Sequence, residues 1–162
     1  MRDFISFENL CKLWEEVMKN FLIAAVAIAI LFFVTSTPKI FIGTENQTVA
    51  VVDAKDNLPL TINFIHSVQK TPVIEELEFQ SGEFILKRTK YKSQGVGLPF
   101  DIADGKFYRD GDWFIVDEMN RRFKNLELRT GKGTQLKIFF NGREYKLYEK
   151  FPLGTKIFIK TF

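Results

Sequence analysis

The chain has 162 residues, a formal net charge of +3, one histidine and one cysteine. One cysteine excludes a disulfide framework or a multi-cysteine zinc site, and one histidine excludes a multi-histidine metal site. The small positive charge does not support nucleic-acid binding. With 46% hydrophobic and 27% charged residues, the composition is that of a folded chain, long enough to bury a core without disulfides. We therefore expect no metal, no cofactor and no nucleic-acid partner.

The first element is an uncharged segment between Lys19 and Lys39. As a helix, residues 20–38 would span roughly 28 Å, close to the hydrocarbon thickness of a bilayer. We predict a single transmembrane helix or signal anchor at residues 21–37. The strictly apolar part, Phe21–Val34, also has the length of a signal-peptide core. A cleaved signal is therefore the alternative, although Val34-Thr35-Ser36 is a poor cleavage sequence.

Residues 1–20 form a predicted amphipathic segment that continues into this helix. Its apolar side chains recur at spacings of three and four and form one stripe: Phe7, Leu10, Trp14, Val17 and Phe21. Such a stripe favours a helix lying in the membrane interface, with a seam for a partner's helix as the alternative. Met18 is an alternative start, in which case residues 1–17 are not native protein.

The flanking basic residues predict the orientation of the single span. Three precede it and two follow it: Arg2, Lys12 and Lys19, then Lys39 and Lys55. Because cytoplasmic flanks carry the excess of Lys and Arg, we predict a cytoplasmic N-terminus. The rest of the chain would then lie outside the cell membrane.

From Lys39 onward the hydrophobic period is two, which is typical of strands. Turn residues separate the strand-like runs, and Asn141-Gly142 is a typical hairpin pair. Short strands with tight turns predict an antiparallel β-sandwich or flattened barrel of about ten strands at residues 39–162. The predicted strands are 39–42, 48–52, 60–66, 73–80, 83–91, 113–117, 123–130, 135–140, 143–148 and 156–161.

Three consecutive runs predict a meander with one shared apolar face. Pairing Phe64 with Glu75, and Glu75 with Arg88, aligns the apolar positions of all three strands. His66, Glu75 and Arg88 then meet at one end of that face, where Arg88 would compensate the buried carboxylate. The cluster is either a satisfied polar group at the sheet end or the floor of a ligand site. We expect no catalytic residue, because the strand parity of Ser67 points it to the other face.

Two motifs resemble a known family. They are His66-Ser67-Val68 with Thr71-Pro72-Val73-Ile74-Glu75, and Ser93-Gln94-Gly95-Val96-Gly97-Leu98-Pro99. The family is an uncharacterised prokaryotic domain encoded beside TAXI-type TRAP transporter permeases, and the resemblance covers residues 48–162. It implies an extracytoplasmic β domain tied to the membrane and a link to solute uptake, with no established activity. The matching positions are His66, Glu75, Ser93, Gly95, Gly97 and Pro99, whereas Val96 departs from the family's alanine.

The loop that carries the second motif leaves the strand of Arg88 and is predicted to fold over the end of the sheet where His66 and Glu75 lie. Its glycines permit backbone conformations closed to other residues. The ligand-binding candidates are His66, Glu75, Arg88, Ser93, Gly95 and Gly97.

We predict a non-enzymatic, membrane-anchored accessory protein of a TRAP-type solute transporter. It would bind a permease subunit, or a small carboxylate held by Arg88, outside the membrane. One alternative is a stand-alone extracytoplasmic binding or envelope-structural domain. Another is an enzyme that uses His66 and Glu75 as acid and base.

Overall fold

The computed structural model describes residues 7–36, 38–95, 98–99 and 105–162. The chain divides into two compact units, Met1–Thr37 and Pro38–Phe162. The first unit contains one helix and the second contains the β-strands.

Helix α1 spans Phe7–Ser36 without interruption. Within it, the 24-residue stretch Leu10–Phe33 contains an 18-residue window with a mean hydropathy of 2.0, and its side chains are exposed. By length and composition this stretch is able to cross a membrane, and its position near the N-terminus also fits a signal sequence. The amphipathic residues and the apolar residues therefore belong to one helix.

The described residues of the second unit form twelve strands and one short helix, α2 (Leu147–Lys150). Every paired strand is antiparallel to its neighbours. The strands are β1 (Lys39–Gly43), β2 (Thr48–Asp53), β3 (Leu58–Ile65), β4 (Pro72–Gln80), β5 (Glu83–Tyr91), β6 (Lys106–Asp110), β7 (Trp113–Asp117), β8 (Arg121–Phe123), β9 (Asn125–Arg129), β10 (Lys137–Phe140), β11 (Arg143–Lys146) and β12 (Lys156–Thr161).

These strands form two sheets around one core. The first sheet has the order β2-β1-β12-β9, and the second has the order β11-β10-β3-β4-β5-β7-β6, with β8 also paired to β5. Ile40 and Ile159 of the first sheet share one buried cluster with Leu60 and Phe84 of the second. The inward residues of both sheets thus exclude water together, as in a sandwich. The predicted mainly β, antiparallel fold is confirmed.

Two strands were not predicted, for identifiable reasons. Every residue of β6 is exposed, so its sequence lacks the alternation that marks a half-buried strand. The predicted run 123–130 is divided, because β8 pairs with β5 in the second sheet whereas β9 pairs with β12 in the first. The chain changes sheet at Lys124, and the local pattern gives no sign of it.

The β3–β4 register differs from the prediction by two residues. Phe64 lies opposite Val73, and Ile62 lies opposite Glu75. A slip of two preserves the parity of a strand, so the predicted inward residues still face the core. His66 falls outside β3, in the turn that leads to β4.

The β4–β5 register holds at Phe79–Phe84 and Leu77–Leu86 and then shifts at a β-bulge. The extra residue in β5 is Lys87, whose carbonyl oxygen accepts a hydrogen bond from the Met119 N–H at 2.9 Å. A bulge reverses which residues of the following strand face inward. Glu75 therefore lies opposite Thr89, and the predicted pairing of Glu75 with Arg88 is wrong.

Candidate functional site

A cavity of about 410 Å³ opens between the two sheets, where β3 and β4 approach β9. This volume lies in the range of small-molecule sites. The second sheet and its turns supply Ile62, Phe64, Ile65, His66, Ser67 and Glu75 to the lining. The rest of the lining comes from Leu98, Glu127, Leu128, Arg129, Thr134 and Leu136.

His66 is buried and organises the turn after β3. Its Nδ1 accepts hydrogen bonds from the backbone N–H groups of Val68, at 3.3 Å, and Gln69, at 3.1 Å. Because both donors are backbone amides, we assign Nδ1 as unprotonated and the ring as neutral, with its proton on Nε2. The first motif is therefore a turn whose shape depends on the histidine ring.

The second motif packs on that turn. A Cβ atom added to Gly95 would lie 2.8 Å from Gln69 Cγ and 3.2 Å from His66 Cε1, so any larger residue would have to displace these two side chains. Ser93 Oγ also donates a hydrogen bond to Gln69 Oε1 at 3.4 Å. Ser93 and Gly95 thus lie against the His66 turn, as the predicted loop position requires, while Gly97 lies outside the described residues.

The end of the second motif is attached to the core. The Tyr91 hydroxyl donates a hydrogen bond to the Pro99 carbonyl oxygen at 2.6 Å, and Leu98 is buried at the cavity wall. Because Tyr91 itself is fully buried, this bond fixes the loop to the sheet. Two segments distant in sequence therefore border one cavity.

Glu75 reaches the cavity from the inward face of β4, as predicted, and it is half-buried. Burial raises the pKa of this carboxyl group, and the positive charge of Arg121 opposes that rise in part. None of the described residues forms a hydrogen bond or an ion pair with the carboxyl group. Glu75 is therefore an inward acidic group to which no described residue donates a hydrogen bond.

Arg88 lies on the other face of the sheet, which corrects its predicted place beside His66 and Glu75. Its guanidinium group contacts Glu76 at 3.2 Å and Asp117 at 2.6 Å. The hydrogen bond between Arg88 and Asp117 raises the pKa of Arg88 and lowers the pKa of Asp117. The Tyr108 hydroxyl also donates to Asp117 at 3.3 Å. Arg88 thus belongs to a surface network and does not line the cavity.

Sequence reasoning missed the wall that β9 contributes. The Glu127 carboxylate forms ion pairs with Lys156 at 3.0 Å and with Arg129 at 3.8 Å. Arg129 also donates a hydrogen bond to the Gly154 carbonyl oxygen at 3.2 Å. These charges at the rim therefore have partners within the domain. Their place at the cavity follows from how the sheets stack, and no local motif signals it.

The alternative of an enzyme that uses His66 and Glu75 is supported at one further residue, Ser67, which lies at the same cavity. Ser67 lines the cavity, contrary to its predicted outward direction, because it lies in a turn where strand parity no longer applies. The Nδ1 atom of His66 is engaged by backbone amides, and no hydrogen bond connects Glu75 to a described residue. The described residues also contain no group of three acidic, histidine or cysteine side chains arranged for a metal ion. The arrangement offers a binding cavity with one inward acidic group.

We expect Glu75→Gln to make the 38–162 domain more stable at about pH 7, by on the order of 1 kcal/mol. Folding raises the pKa of Glu75 above its ordinary value of 4.5. The folded state therefore favours the protonated carboxyl group of Glu75. The stability that this group contributes is fully present below pH 4.5 and is lost as the pH rises through the folded-state pKa, where the carboxylate forms. Urea unfolding at several pH values should show the two proteins converging near about pH 3.5.

The matched control is Glu78→Gln, on the same strand. Glu78 lies 3.7 Å from Lys87 on the outer face of the sheet, so its replacement should give no such gain. A Glu75→Gln protein that is less stable than the wild type at neutral pH would show that the fold stabilises the charged carboxylate.

The DUF1850 profile, which describes a domain of unknown function, matches residues 60–147. The match covers more than half of the 162 residues and agrees with the resemblance to an uncharacterised domain family. It includes the His66 turn, Glu75 and the Ser93–Pro99 segment. Neither a curated protein nor a solved structure shows significant similarity to the chain.

Proposed function

The chain belongs to the DUF1850 family, and from this premise we propose that it is a non-enzymatic, membrane-anchored accessory protein of a TRAP-type solute transporter. Its β domain would lie outside the membrane and bind a small molecule or a permease subunit there. The link to the transporter comes from the resemblance of the two motifs to proteins encoded beside such permeases.

One observation carries the binding role. His66 and Glu75 of the first motif and Gly95 of the second motif assemble at the wall of one cavity or directly behind it. A motif that served stability alone would have no need to surround an open volume next to a carboxyl group that no described residue hydrogen-bonds. An apolar residue would fill that volume better. The assembly favours recognition of a ligand.

Co-purification from membranes tests the transporter link. The tagged full chain is cross-linked in its native cells, solubilised and purified, and the co-purifying chains are identified by mass spectrometry. We expect permease subunits with the full chain and none with a tagged protein that carries residues 1–37 alone. Absence of any permease from the full-chain sample would contradict the accessory role and favour a stand-alone binding domain.

The anchor and its orientation are part of the proposal. Helix α1 is long and apolar enough to span the bilayer, and the slight excess of basic residues before the span favours a cytoplasmic N-terminus. The β domain would then begin within a few residues of the end of the span, on the outer side of the cell membrane, because β1 starts at Lys39.

Cysteine labelling tests this topology. Cys11 is the only cysteine of the chain, and it is exposed. We expect a membrane-impermeant maleimide to label Cys11 only after the cell membrane is permeabilised. In a Cys11→Ser, Lys55→Cys protein, the reagent should label the exposed new site in cells with an intact cell membrane. The reverse pattern would contradict the orientation, and loss of Cys11 from the mature protein would indicate either a cleaved signal or a start at Met18.

A further inference from the structure

We propose that the cavity binds an ammonium group carried on an apolar chain, with the Glu75 carboxylate as its counter-charge. This inference rests on the proposed binding function and names the chemical class of the ligand. It replaces the small carboxylate predicted from the sequence, since that ligand depended on Arg88 facing the cavity.

The charges at the cavity lead to this class. Besides His66, three acidic or basic side chains of the described residues line it: Glu75, Glu127 and Arg129. The last two lie at the exposed rim and have partners in Lys156 and the Gly154 carbonyl group. Among the described lining residues, Glu75 is the acidic or basic group without a hydrogen bond or an ion pair.

The neighbours of Glu75 select a ligand that is mostly apolar. The inner walls are aliphatic and aromatic, with Ile62, Phe64, Leu98, Leu128 and Leu136. In such surroundings a carboxylate without hydrogen-bond donors raises the free energy of the folded protein. An ammonium group would donate charge-assisted hydrogen bonds to it, which are stronger than those between neutral groups. An apolar chain attached to the ammonium group would cover the walls.

An anionic ligand is less favoured, because the guanidinium group among the described lining residues, Arg129, lies at the exposed rim and already donates to the Gly154 carbonyl oxygen. Arg88 contacts Glu76 and Asp117 on the opposite face of the sheet. The neutral His66 ring has its Nδ1 engaged by the turn. An anion beside Glu75 would also be repelled by the ionised carboxylate, which disfavours it by electrostatics.

Ligand-observed saturation-transfer NMR on the full chain in nanodiscs tests the proposal, with empty nanodiscs as the blank. The probes are n-butylammonium, n-butyrate and a lysine capped at both backbone ends. We expect n-butylammonium to bind with a Kd on the order of 1–10 mM, as suits a ligand of five heavy atoms. We expect n-butyrate to bind at least about tenfold more weakly.

Glu75→Gln should weaken n-butylammonium binding by about tenfold or more, because it removes the charge from the hydrogen bond. The variant is expected to fold, and near-UV circular dichroism verifies this. Glu78→Gln makes the same chemical change outside the cavity and should leave binding within about twofold of the wild type.

Three results would overturn the proposal: n-butyrate binding as tightly as n-butylammonium, ammonium binding that survives in Glu75→Gln, or no binding of either amine probe. Tighter binding of the capped lysine supports a partner's lysine side chain as the source of the ammonium group. Tighter binding of n-butylammonium supports a free solute. Permease co-purification is read separately, so its failure contradicts the transporter role without affecting the ligand class.

Discussion

Insertion of one alanine between Lys87 and Arg88 should abolish folding of the β domain. Lys87 is already the extra residue of the bulge in β5, and a second extra residue would reverse the facing of every residue that follows it in the strand. Arg88 and Lys90 would then take the inward positions of Thr89 and Tyr91, which are fully buried. Two unpaired buried cations and the loss of a buried aromatic ring cost several kcal/mol each. The sum is comparable to the free energy of unfolding of a typical domain, about 5–15 kcal/mol.

The measurement compares the insertion with a substitution at the bulge. Lys87→Ala keeps the backbone and removes only a half-exposed side chain, 3.7 Å from Glu78. It should change the free energy of unfolding by less than about 0.5 kcal/mol. We expect dispersed amide resonances from Lys87→Ala and collapsed resonances from the insertion. An insertion protein with native dispersion would show that the bulge absorbs a further residue without reversing the strand.

A chain that begins at Pro38 should be soluble and folded, whereas the full chain should stay with membranes. The buried core cluster draws its residues from Ile40 to Ile159, so the β domain has a core of its own. Leu10–Phe33 carries the apolar surface that partitions into a bilayer, at about 25 cal/mol per Å² of area removed from water. Sedimentation of both proteins after expression, with circular dichroism of the soluble one, measures the effect.

A sodium carbonate wash is the control for the membrane-bound protein, because it releases peripheral proteins and leaves spanning helices in place. Release of the full chain would contradict a spanning helix. Recovery of a mature chain that begins just after Ser36 would identify the segment as a cleaved signal sequence. An insoluble 38–162 chain would contradict a self-sufficient core.

The inward positions of the site could be predicted from sequence, and its partners could not. Glu75 faces the cavity because a two-residue slip of β3 against β4 leaves strand parity intact. Gly95 signals a close approach of backbone to another group, and that group proves to be the His66 turn. Both residues are placed by local rules. Local rules do not place Arg88, because the bulge separates it from Phe84 and Leu86, whose pairing in β5 was predicted correctly.

The amino-acid sequence by itself determined the apolar N-terminal helix, the mainly β antiparallel fold and the turns that separate most strands. These features depend on hydrophobic period and on the backbone preferences of single residues, and both can be read within a few positions. Only the tertiary structure decided the bulge at Lys87, the change of sheet at Lys124 and the cavity wall from β9. Each depends on a partner distant in sequence, such as the Met119 N–H that bonds to Lys87. No local pattern records that partner, because a strand's own period is the same whichever strand it pairs with.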